Sequence, residues 1–97
     1  MLLNAVYTPG DGRVHLTFSQ DLVDGPYDAS NFLAWDSFGE RIVTAALRIS
    51  PNVVRLVTSA GAFVGGPART SYLATPPELV GLTSGLAVAA YNDFPMT

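Results

Sequence analysis

The chain has 97 residues, of which 13% are charged and 48% hydrophobic, with no cysteine and a formal net charge of −3. This length fits one domain spanning residues 1–97, and the lack of cysteine excludes a disulfide framework and a thiolate metal site. The five cations are all arginines (Arg13, Arg41, Arg48, Arg55 and Arg69) and are scattered, so the clustered positive surface that nucleic acid requires is not expected.

In chain order, residues 2–7 read as a first strand. They follow Met1 without a basic stretch, a long apolar run or a small-residue cleavage site, so they do not form a signal peptide. The expectation is a chain made in the cytoplasm, the alternative being a leader already removed. Residues 13–19 are the clearest strand. Val14, Leu16 and Phe18 alternate strictly with Arg13, His15, Thr17 and Ser19, the period of a strand with one buried face. The pair Asp11-Gly12 predicts a tight turn joining the two strands as a hairpin.

A polar, turn-rich stretch over 20–30 leads to a short strand at 31–36 carrying Phe32 and Trp35. Residues 41–49 and 53–59 read as two longer strands joined by a tight turn at Pro51-Asn52. The last two expected strands are 70–74 and 86–91, and 77–82 allows at most a helical turn. Apolar runs fall far short of the ~20 residues of a membrane-spanning helix. About seven short strands punctuated by Gly and Pro predict an all-β fold, an immunoglobulin-like β-sandwich, with a small barrel as the alternative.

The order of these landmarks resembles a known family. Val14-His15-Leu16-Thr17-Phe18-Ser19-Gln20-Asp21-Leu22 resembles the LTFSE opening strand of bacterial immunoglobulin-like repeats of the SwmB type. Asn31-Phe32-Leu33-Ala34, Val53-Val54-Arg55-Leu56-Val57 and Ser71-Tyr72-Leu73-Ala74-Thr75-Pro76-Pro77 resemble the family's middle strands. Gly85-Leu86-Ala87-Val88-Ala89-Ala90-Tyr91 resembles its closing strand, although the turn before it departs from the family pattern, reading Leu82-Thr83-Ser84-Gly85. The resemblance spans nearly the whole chain. It implies an immunoglobulin- or fibronectin-III-like sandwich of the kind found in bacterial surface proteins, adhesins and tailed-phage virions.

No catalytic set is visible, and the chain is not expected to be an enzyme or to hold a cofactor. His15, the one histidine, lies on the polar face of its strand with no nucleophile and orienting acid in the pattern. Asp21, Asp24, Asp28 and Asn31 could supply oxygen ligands to calcium, but their spacing is not that of an EF-hand and suits turn capping better. Asp36 and Glu40 flank an expected turn rather than a cleft. The glycine-rich run 61–66 lacks the Lys-Ser/Thr of a phosphate loop. Trp35, Phe32 and Tyr72 are expected in the core, with sugar stacking as the alternative for Trp35.

The low charged fraction is the most informative feature, since ordinary soluble domains carry about 25%. A domain this small cannot hide all its apolar surface within itself, so part of it is expected to be covered by another copy or a partner. Two segments place apolar residues where loops or ends are expected, giving the interface candidates Phe63, Val64, Tyr91, Phe94, Pro95 and Met96. The expectation is therefore a non-enzymatic structural protein acting by surface packing. The setting would be a virion, as a capsid decoration or accessory head or tail protein of a bacteriophage. Its partners would be other virion proteins, such as the major capsid protein, or copies of itself, with neither nucleic acid nor membrane. The alternative is an adhesin-type module at the bacterial surface or secreted, binding a glycan or a cell-surface protein.

Overall fold

The computed structural model describes residues 1–8, 12–36, 39–58, 67–75 and 77–97. Among the described residues eight strands are formed: β1 (Leu2–Thr8), β2 (Arg13–Phe18), β3 (Phe32–Asp36), β4 (Gly39–Arg41), β5 (Val43–Ser50), β6 (Val53–Thr58), β7 (Ala68–Tyr72) and β8 (Tyr91–Met96). They make two four-stranded antiparallel sheets in the orders β1-β2-β6-β5 and β4-β3-β7-β8. The fold is an all-β sandwich with one more strand than the sequence predicts. The helical segment among the described residues is a single 3-10 turn, Ala29–Asn31.

The alternation of β2 decides the layering. Val14, Leu16 and Phe18 are fully buried, while Arg13, His15 and Thr17 face outward. Through the paired registers the inward set meets Val54 and Leu56 of β6 and Ala46 of β5. The second sheet contributes Phe32, Ala34 and Tyr72 to the same core. Burying a side chain of this size contributes about 1.5–3 kcal/mol, so the alternating strands supply most of the apolar stabilisation.

Three sequence readings are revised. Residues 41–49 do not form one strand: Arg41 ends β4, exposed Ile42 breaks the ladder, and β5 starts at Val43. The break lets Arg41 reach back to Asp36, whose buried carboxylate it meets at 3.0 Å. Trp35 is not a core residue, because the inward positions of β3 are Phe32, Ala34 and Asp36; Trp35 is half-buried on the outer face. The last strand is not 86–91 but Tyr91–Met96; before Tyr91, Ala87 is the one residue of the expected segment bridged among the described residues, to Val80.

The shift of the last strand has a local cause. Between the pairs Thr70↔Phe94 and Tyr72↔Tyr91, β8 carries one residue more than β7, which is a bulge. Asp93 takes a left-handed φ of 53°, a conformation that Asp tolerates better than most residues. Its N–H donates to Ser71 Oγ, which in turn donates to Asn92 Oδ1. The bulge keeps Tyr91, Phe94 and Met96 turned toward the core. Pro95 fits because β8 is an edge strand, where a missing N–H is tolerated.

The loop after β7 is held by polar clamps. Asn31, buried at the end of the 3-10 turn, donates from Nδ2 to Glu78 and accepts the Thr75 N–H at Oδ1. The Tyr72 hydroxyl accepts both the Glu78 and Leu79 N–H groups. Together they seat fully buried Leu79 and fix the start of residues 79–88, which run along the end of the first sheet through the Leu22↔Gly81 and Val80↔Ala87 bridges.

Candidate functional site

β1 and β8 are edge strands of different sheets, and they meet along one seam. At its far end, the Tyr7 N–H donates to Thr97 O at 3.1 Å and the Thr97 N–H donates to Ala5 O at 2.9 Å. Those two bonds flank Val6 in the pattern of a parallel pairing and close the sandwich there. At the near end no such pairing occurs among the described residues. Instead a groove of about 460 Å³ opens between Met1 and Leu2 on one wall and residues 86–91 on the other, with Phe94 also lining it.

An aromatic row leads from the core to this groove. Phe32 stacks on Tyr72 at 5.2 Å, Tyr72 meets Tyr91 at 5.8 Å, and Tyr91 meets Phe94 edge-on at 6.1 Å. The Tyr91 hydroxyl is buried without a hydrogen-bond partner among the described residues, and burial pushes its phenol pKa far up, with Tyr72 adding to the effect. Among the described residues no charged side chain lines the groove; its polar side chains besides Tyr91 are Gln20 and Ser84, which bond to each other at 3.2 Å.

The segment that forms the longer wall is thinly held. Leu86 accepts the Gly81 N–H at its carbonyl and donates its own N–H to Ser84 Oγ, and the Val88 N–H donates to Leu79 O. Ala87, Ala89 and Ala90 make no hydrogen bond among the described residues, and all three are exposed. Leu86 and Leu82 beside them are exposed as well.

Of the sequence-predicted interface candidates, Tyr91 and Phe94 are half-buried and line the groove together. Pro95 is exposed on β8, whereas Met96 is buried in the core opposite Ala68. Phe63 and Val64 lie outside the described residues, as does the glycine-rich run 61–66. Sequence reasoning missed the first wall, Met1 and Leu2, and the exposure of Ala87, Ala89 and Ala90 around buried Val88. Both follow from the last strand starting five residues late, which no local pattern announces.

The other chemical candidates have internal duties. Asp24 accepts the Gly25 N–H and pairs with Arg48 at 3.3 Å. Asp28 caps the 3-10 turn by accepting the Ser30 hydroxyl and N–H, and those bonds hold its carboxyl below the usual carboxylate range. Asn31 is bound as described above. Among the described residues no group of three or more acids, histidines or cysteines could hold a metal ion. His15 sits on the outer face of β2, where its Nε2 accepts the Arg55 Nε–H at 3.4 Å. Compared with known proteins, the chain matches no family model, no curated protein and no solved structure.

Proposed function

We propose that this chain is a non-enzymatic interaction protein that works by packing its apolar surface against other proteins, as an accessory or decorating component of a virus particle. The observation that carries this reading is the amount of apolar surface left uncovered. Ten large hydrophobic residues are exposed among the described residues, on a chain with only 13% charged residues. Surfaces of this kind mark sites that a partner covers.

Two pairs of the exposed residues share a surface. Val6 and Leu47 lie in one row across the outer face of the first sheet, with His15 and Arg55 between them. Met1 and Leu86 flank the groove on its opposite walls. The resemblance to immunoglobulin-like modules, which occur in tailed-phage virions, supplies the setting. The adhesin alternative draws little support from the Asp-rich loop, where Asp24 and Asp28 are engaged in a turn cap and an ion pair.

The reading is tested by light scattering of the purified chain across concentration, and by co-sedimentation with particles of the virus that encodes it. Concentration-dependent association or co-pelleting at fixed stoichiometry is expected. A strict monomer that stays in the supernatant with those particles would overturn it.

A further inference from the structure

We propose that the groove between β1 and residues 86–91 receives an extended, neutral, apolar segment of a partner protein, which adds a β-strand along the edge formed by Ala87 and Ala89. This inference rests on the reading of the chain as an interaction protein and names where the partner docks and with what chemistry.

The backbone identifies the occupant. Val80 and Ala87 face each other as an antiparallel pair, and their two bonds, Gly81 N–H to Leu86 O and Val88 N–H to Leu79 O, flank the pair. In such a non-hydrogen-bonded pair, each residue's own N–H and C=O point away from the other strand. Ala87 therefore turns its donor and acceptor outward. Ala89, two residues on, lies on the same groove wall and also makes no hydrogen bond among the described residues. An outward backbone edge is satisfied by another backbone, and addition of an extended peptide is the usual way.

The side chains agree. Ala87, Ala89 and Ala90 are small, which lets a neighbouring strand approach to about 4.8 Å. The opposite wall is the edge strand β1, whose described outward bonds, to Thr97, begin only at Ala5. Tyr91 and Phe94 supply an apolar lining for alternate side chains of the guest. Among the described residues no charged side chain lines the groove, and the Met1 ammonium at its wall already donates to Ser19 Oγ, so a strongly charged guest finds no set of counter-ions there. A lipid tail would satisfy the apolar lining but leave the Ala87 backbone unpaired.

The test uses calorimetric titration of the whole chain with a seven-residue capped peptide of alternating valine and threonine. Two further versions carry N-methyl groups on one or the other set of alternate peptide nitrogens, and laurate serves as the lipid-like probe. The plain peptide is expected to bind, and one methylated set should weaken it about tenfold or more while the other does not, because one edge only faces Ala87. Ala89→Trp, which fills the groove at an exposed position, should abolish binding with the thermal midpoint unchanged; Leu86→Asp is the second blocking variant. No binding of the plain peptide, equal binding of both methylated versions, or full displacement by laurate would overturn the proposal. The two readings fail separately. A wild-type chain that never associates with itself or particles refutes the interaction function. Pelleting that survives Ala89→Trp, with no peptide binding, refutes the groove assignment alone.

Discussion

Thr97 and Ala89 lie just beyond opposite ends of β8, along the same seam between the two sheets, and the backbone treats them differently. At Thr97, both main-chain groups are bonded to β1, and Met96 beside it is buried. At Ala89 neither group has a partner among the described residues, and Ala89 and Ala90 are exposed although Val88 before them is buried. A fold that needed only to be stable would close both ends, because unpaired strand edges invite association. The difference teaches that the seam has a structural half and an available half. Substitutions should separate them: stability lost at one, association lost at the other.

The largest effect is expected at the closed end. Met96→Ala removes a buried side chain where the sheets join, and should cost about 2–3 kcal/mol in denaturant unfolding while leaving particle association intact once folded. Next comes the clamp behind the open wall. Asn31→Ala leaves the Thr75 N–H without its partner and the Glu78 carboxylate with only the Asp28 N–H as donor among the described residues, and should cost about 2 kcal/mol. Hydrogen exchange at Leu79 and Val88 should speed up in that variant.

Tyr91→Phe should act in the opposite direction. It deletes a buried hydroxyl with no partner among the described residues, so the variant should gain about 1 kcal/mol. The sign with pH follows from the raised pKa. The folded chain keeps a phenolic proton that the unfolded chain releases near pH 10, so this contribution is full below about pH 10 and declines above it. Tyr27, also raised by burial, acts in the same sense, so the variant should soften the alkaline loss without abolishing it. The smallest change in stability is expected at the open end. Leu86→Ser should shift unfolding by less than about 0.5 kcal/mol, yet reduce association in light scattering.

Much of the scaffold was legible in the sequence because period-two alternation and turn residues are local signals. β2 and β6 lie within a residue of their expected ends, and the Pro51-Asn52 turn joins Ser50 to Val53 as a two-residue connection. What was illegible depended on pairings distant in sequence. Trp35 looked like core because of its size, but its place is set by the inward parity of Phe32 and Asp36. Residues 86–91 have strand composition, yet the ladder starts only at Tyr91, where Tyr72 is available and the Asn92-Asp93 bulge restores the parity. Asn92, Asp93 and Pro95 read as loop residues, and their roles as bulge and edge positions are visible only once β7 is beside them. The groove follows from that displacement. Tyr91 and Phe94 could be singled out as exposed-end aromatics, but Met1, Leu2 and the unpaired alanines could not.

Hydrogen exchange at single amides tests the account most directly, comparing Tyr7 and Thr97 with Ala87 and Ala89 in the free chain and in the particle-bound chain. The account predicts slow exchange at Tyr7 and Thr97 in both states. Ala87 and Ala89 should exchange fast in the free chain and become protected on binding. Slow exchange at Ala87 and Ala89 in the free monomer, or no gain in protection on the particle, would contradict it.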